Sequence, residues 1–180
     1  MSTTICVFGS SKPVPHQREY EQAYELGKLS AIQGWNICNG GYGGIMQASA
    51  EGAKSANGKT IGVTCSIFSR SGANEFIDEE IKTNSLMERL NRLIELGDAY
   101  VILPGGSGTL VEFALVWELI AKKLMPQKPI VLLTDFWMPV AKITATERPN
   151  TLELLEFVLN PKEAIDVIRN KLRANKGQIQ

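Results

Sequence analysis

Three short apolar runs in this chain each end in a glycine-bearing turn, and each turn leads into a helical pattern. Thr4-Ile5-Cys6-Val7-Phe8 is followed by Gly9-Ser10-Ser11, and Trp35-Asn36-Ile37-Cys38 by Asn39 and the cluster Gly40-Gly41-Tyr42-Gly43-Gly44. Tyr100-Val101-Ile102-Leu103 is followed by Pro104-Gly105-Gly106-Ser107-Gly108. Apolar strands that alternate with helices bury both faces of a parallel sheet, which predicts an α/β, doubly wound, Rossmann-like fold with helices on both sides. Ligands of such sheets sit beyond the carboxyl ends of the strands. The three turns are therefore expected to converge on one edge.

The remaining elements fit the same frame. A 3.6-residue spacing of Tyr20, Ala23, Tyr24, Gly27 and Ala31 predicts a helix from Glu19 to Gln33. Ile45 to Ala56 reads as a small-residue helix, Thr60 to Thr64 as a strand, and Cys65 to Asn74 as a loop broken by Ser66, Ser69, Ser71, Gly72 and Asn74. Phe68 and Phe76 are apolar residues placed to close over a ligand. Ser85 to Leu96 is an amphipathic helix, and a long helix runs from the third glycine turn to about Leu124. Pro129 to Leu133 is a strand, Leu152 to Val158 and Pro161 to Leu172 read as helices, and the chain is expected to fray from Asn175. One domain over residues 1–174, with 175–180 as a tail, suits a length of 180 residues.

Composition removes several function classes. Lys plus Arg equals Asp plus Glu at 19 each, so no overall field draws the chain to nucleic acid or to an acidic membrane. The start lacks a signal-peptide pattern and no apolar segment approaches spanning length, so the expected location is cytoplasmic. Cys6, Cys38 and Cys65 are odd in number and strand-associated, which suits buried reduced thiols. His16 is the only histidine and sits in a Pro-flanked loop, so neither a histidine metal site nor a Ser-His-Asp triad is expected.

The third turn carries the chemistry. Strand, glycine turn and helix aim backbone N–H groups and a helix dipole at one point, where an anion such as phosphate belongs. Gly105, Gly106, Ser107, Gly108 and Thr109 would form that site, and Glu112 sets a carboxylate beside it. A phosphate has no use for a neighbouring carboxylate, so chemistry on something attached to the phosphate is implied. Thr109 and Glu112 also fit a capping box, with Thr109 as the N-cap. Arg89, on the preceding amphipathic helix, is placed to return to the same edge and face Glu112. No Gly-x-Gly-x-x-Gly follows the first strand and neither cluster ends in Gly-Lys-Ser/Thr, which argues against a dinucleotide site and a Walker loop.

Pro104 to Glu112, Arg89 in a Met87-containing segment, and Asp98-Ala99 before the strand resemble the LOG family. That family includes cytokinin riboside 5′-monophosphate phosphoribohydrolases, and relatives often carry the label "possible lysine decarboxylase". The resemblance runs from about Ile5 to Leu133. It departs from the plant-type signature at Leu90, where lysine is usual, and at Val111, which replaces the first of two glutamates. Gly40 to Ala53 also resembles molybdenum-cofactor carrier proteins of the same superfamily.

The LOG resemblance implies hydrolysis of the N-glycosidic bond of a nucleoside 5′-monophosphate, with no metal or other cofactor. Glu112 would stabilise the oxocarbenium-like ribose and activate water, and Arg89 would hold Glu112 ionised and in place. Gly105 to Thr109 would hold the phosphate; Gly9, Ser10, Gly40, Gly41, Gly43, Gly44 and Met87 would flank the rest of the nucleotide. The alternative is a carrier that binds a nucleotide or pterin phosphate without hydrolysing it. Lysine decarboxylation is a poor reading, because no lysine in the glycine motifs is placed to hold pyridoxal phosphate. A homodimer is implied by the resemblance; the helix with Leu115, Leu119 and Leu124 is a candidate for its contact, and burial inside one subunit explains those leucines equally well.

Overall fold

Every residue of the first strand, β1 (Thr4–Phe8), is buried, and its alternation divides the core in two. Ile5 and Val7 join one apolar cluster, Cys6 and Phe8 the other. The computed structural model describes residues 2–68 and 72–177. After β1 come α1 (Arg18–Ile32), β2 (Asn36–Asn39), α2 (Ile45–Ser55), β3 (Thr60–Cys65), β4 (Glu79–Thr83) and α3 (Leu86–Leu96). The second half contains β5 (Ala99–Ile102), α4 (Ser107–Ala121), β6 (Ile130–Leu133), α5 (Met138–Ala145), a 3-10 turn (Pro149–Leu154), β7 (Leu155–Val158) and α6 (Pro161–Gly177).

The strands form one seven-stranded sheet in the order β4-β3-β2-β1-β5-β6-β7, with every neighbouring pair parallel. The expected doubly wound, Rossmann-like sheet is thus present. Tyr20 of α1, Ala48 of α2 and Ile168 of α6 cover one face; Leu93 of α3, Phe113 of α4 and Ala141 of α5 cover the other. The order reverses at β1, so the helices after β1 and β5 leave on opposite faces of the sheet and a crevice opens at the carboxyl ends of these strands. Cys6, Cys38 and Cys65 are buried free thiols, as expected. Among the described residues no helix is long and apolar enough to cross a membrane.

Three elements differ from the sequence reading. β4 has the charged sequence Glu-Glu-Ile-Lys-Thr and pairs only with β3; an edge strand of this kind is defined by its ladder and has no apolar run to announce it. Leu152 to Val158 is not a helix. Its first residues end the 3-10 turn, and Leu155 to Val158 form the other edge strand. A short apolar run fits both periods, and pairing with β6 decides between them. The eight-residue α5, opened by Met138-Pro139, is an addition. Residues 69–71 of the expected loop and 178–180 of the expected tail lie outside the described residues, whereas α6 extends to Gly177.

α1 and α2 touch backbone to backbone. A β-carbon at Gly52 would lie 1.9 Å from the carbonyl oxygen of Tyr24, and one at Gly27 would lie 2.0 Å from that of Ser49. Inside a helix, Gly→Ala normally stabilises by about 1 kcal/mol. Here the obstructing atoms are main chain and cannot rotate away, so overpacking prevails. Gly52→Ala is expected to lower unfolding free energy by about 2 kcal/mol or more, read from the urea midpoint at unchanged slope.

Candidate active site

The residue that gathers the three turns is Ser10. Its amide donates to the Pro104 carbonyl at 3.0 Å, and its own carbonyl accepts from the Ile45 amide at 2.9 Å. The turns after β1, β2 and β5 therefore meet, as the sequence predicts. They border a cavity of about 700 Å³ that Gly9, Ser10, Gly40, Arg89, Gly106, Ser107, Gly108, Thr109 and Glu112 help to line.

The remaining glycines of the expected site do not reach that wall. Gly41, Gly43, Gly44 and Gly105 are absent from the lining. Gly44 illustrates why it is glycine: its φ is +66°, and a β-carbon there would fall 2.3 Å from the Ser10 carbonyl oxygen. It shapes the turn that brings Ser10 and α2 together.

Gly106 is the N-cap of α4, and no side chain caps this end. Ser107, Gly108 and Thr109 form its first turn, so the capping-box reading of Thr109 and Glu112 is overturned. Glu112 instead turns inward to Arg89. A capping arrangement does occur at α3, where Ser85 Oγ accepts from the Glu88 amide and Glu88 Oε2 accepts from the Asn84 amide. That fixed start directs Arg89 into the protein. Its Nε donates to the Val63 carbonyl at 2.9 Å, and its Nη1 donates to Glu112 Oε1 at 3.2 Å. Only 6% of Arg89 and 9% of Glu112 is exposed, so this ion pair is buried.

Met87 is a correction. It is 59% exposed and does not line the cavity; Leu86 and Leu90 do. The helical period carried the needed signal, because Leu86 lies three residues before the inward Arg89 while Met87 lies two before it. Tyr42, Met46 and Lys12 also line the cavity, and of the two expected phenylalanines Phe68 does so while Phe76 does not. Among the described residues no group of His, Cys, Asp and Glu is gathered to hold a metal.

Burial pushes the Glu112 carboxyl up to about 7, and Arg89, by its charge and its hydrogen bond, restores only part of the difference. Arg89 opposes protonation of Glu112 without returning the carboxyl to its ordinary range. The folded carboxyl holds its proton where an unfolded one, near 4.5, has lost it. Folding stability attributable to this group therefore declines as pH rises between these values. Glu112→Gln does not titrate. Between pH 4.5 and 8 the stability difference should move in favour of the variant by about 3 kcal/mol, measured by urea unfolding at both ends.

Residues 2–165 match the model of the SLOG cluster4 family. A cytokinin riboside 5′-monophosphate phosphoribohydrolase of Mycobacterium tuberculosis is 31% identical over 172 residues, covering 90% of this chain and 91% of that protein. Among solved structures, the molybdenum cofactor binding protein of Rippkaea orientalis superposes with a TM-score of 0.80 at 28% identity, covering 96% of this chain and 98% of that one. The molybdenum cofactor carrier protein of Chlamydomonas reinhardtii gives 0.76 at 29% identity, covering 96% and 99%. By the family match and by its relatives, the chain belongs to the SLOG cluster4 family, alongside the LOG proteins that its motifs resemble.

Proposed function

We propose that this protein hydrolyses the N-glycosidic bond of a nucleoside 5′-monophosphate, releasing free base and ribose 5-phosphate. The observation that carries the reading is the buried Arg89–Glu112 pair beside the uncapped start of α4 in one cavity. A phosphate at the first-turn amides and the Thr109 hydroxyl would place the sugar alongside the helix. Glu112 lies about 5–8 Å further along the axis, comparable to the reach of a ribose from its 5′-phosphate to C1′. As the C1′–N bond lengthens, positive charge grows on the ribose and the base leaves with the bonding pair. The ionised Glu112 carboxylate stabilises that charge and accepts a proton from the water whose oxygen bonds C1′; the departing base takes up a proton from solvent, and Glu112 returns its own to solvent. Arg89 holds the carboxylate in place, and phosphate binding remote from the reacting bond supplies positioning energy.

The reading has relatives named as phosphoribohydrolases behind it. A second reading, non-catalytic carriage of a nucleotide or pterin phosphate, draws on the similarity to the two molybdenum-cofactor proteins. The Glu112–Arg89 pair favours the hydrolase. The expected working form is a cytoplasmic homodimer acting on a small nucleotide, with neither nucleic acid nor membrane as partner. Leu115 and Leu119 pack on this subunit's core, so a dimer contact would draw on the exposed Leu124 and Val111 of the same segment. Light scattering should return twice the chain mass.

Purified protein incubated with AMP, GMP, CMP and UMP should release free base, read by chromatography. Glu112→Gln should reduce the rate roughly 10²–10⁴-fold. Because the ionised carboxylate is required, kcat/KM should rise as pH increases through about 7. Thr109→Ala should raise KM for the monophosphate and leave that for the nucleoside unchanged. Tight nucleotide binding without base release would instead point to the carrier reading or to a modified-base substrate outside this panel.

A further inference from the structure

The buried position of Arg89 depends on the turn between β2 and α2. Gly40 is not among the glycines with positive φ, so its backbone does not demand glycine; the space above it does. A β-carbon there would lie 1.9 Å from Arg89 Nη2 and 2.6 Å from Met46 Sδ. Two residues on, the Tyr42 ring centroid stands 5.8 Å from the guanidinium carbon, and the Phe68 ring stands at the same distance. Both distances suit a cation–π contact.

The turn itself is held firmly. Tyr42 Oη accepts from the Cys65 amide at 2.9 Å, fixing the ring against the end of β3. Asn39 Oδ1 accepts from the Gly41 amide at 2.8 Å. Asn74 Nδ2 donates to the carbonyls of Gly41 and Tyr42 at 3.1 and 2.8 Å. Of this turn, only Gly40 and Tyr42 border the cavity, and both meet Arg89.

We propose that the Gly40–Tyr42 turn is a positioning element that seats the Arg89 guanidinium against Glu112, and that it is not a phosphate-gripping loop. Gly40 leaves the volume in which Nη2 lies, while Tyr42, with Phe68 beside it, confines the guanidinium laterally. The Val63 carbonyl fixes Nε, leaving Nη1 directed at the carboxylate. Among the described residues, the ionisable group acting on Glu112 is Arg89 from α3, while Glu112 in turn pushes up the Cys6 thiol of β1; Tyr42 acts through Arg89. The seating is a property of the unliganded protein. Only its consequence for turnover rests on the proposed hydrolase reading.

The test follows the Glu112 carboxyl by ¹³C NMR in the full chain without ligand, with Glu112→Gln assigning the signal. Gly40→Ala and Tyr42→Leu should each raise its titration midpoint by about one unit, because the guanidinium no longer opposes protonation at close range. Tyr42→Phe, which keeps the ring, should shift it less than Tyr42→Leu. A folded Gly40→Ala protein with an unmoved midpoint overturns the proposal; if that variant does not fold, an unmoved midpoint in Tyr42→Leu does so. In the AMP assay both variants should lose kcat with little change in KM. A change confined to KM would make the turn a ligand contact and also overturn it. A wild-type protein that turns over no nucleotide would sink the hydrolase reading, while the NMR titration still decides the seating.

Discussion

One serine at the end of the central strand holds the site together. Ser10 spends its amide on the turn after β5 and its carbonyl on the start of α2, so three loops share one backbone junction. It stands where the strand order reverses, the point at which a doubly wound sheet opens. Main-chain bonds of this kind fix the cavity without committing a side chain. They also divide the glycines into two jobs. Gly44 allows α2 to approach Ser10, whereas Gly40, Gly106 and Gly108 border the space into which a ligand fits.

The Arg89–Glu112 pair is a poor way to gain stability. Removing a carboxylate and a guanidinium from water costs several kcal/mol per ion, and apolar residues of similar volume commonly do as well or better. Here the guanidinium is compensated by the Val63 carbonyl and two aromatic rings, yet the carboxyl still rises to about 7. Burial outweighs the attraction of Arg89 and leaves the two protonation states near balance at neutral pH. A group held near that balance changes protonation state readily at neutral pH, which suits proton transfer and serves no packing purpose.

The sheet was legible because inner strands such as β1, β5 and β6 are continuous apolar runs, and glycine turns follow β1, β2 and β5. The edge strands were not, since Glu79 to Thr83 is charged and Leu155 to Val158 is ambiguous in period until its neighbour is known. The site shows the same division. Glycine turns and a carboxylate at fixed spacing announce Gly106 to Glu112. The Arg89 contact joins segments 23 residues apart, and the sequence offered only its plausibility. Thr109 and Glu112 matched a capping box by spacing alone, but the helix begins at Ser107 and the carboxylate is claimed by Arg89. Tyr42 was hidden among glycines expected to flank the rest of the nucleotide.

The fold is shared by proteins named for hydrolysis and proteins named for carrying a cofactor, so fold alone does not choose between these chemistries. The choice lies in the side chains around the cavity. Among the described residues bordering it, Lys12 and Arg89 are the cations and Glu112 is the anion, and Arg89 is committed to Glu112. Where the plant-type LOG signature has a second cation after the arginine, Leu90 contributes to an apolar wall with Leu86, Met46 and Phe68. Such a wall provides few hydrogen-bonding groups to read the edge of a base. On the proposed hydrolase reading, selection among bases would then rest on shape and stacking, with the phosphate held at α4 and the sugar beside Glu112. A pocket strict about the sugar phosphate and permissive about the base is consistent with chemistry confined to C1′, because the base need only depart.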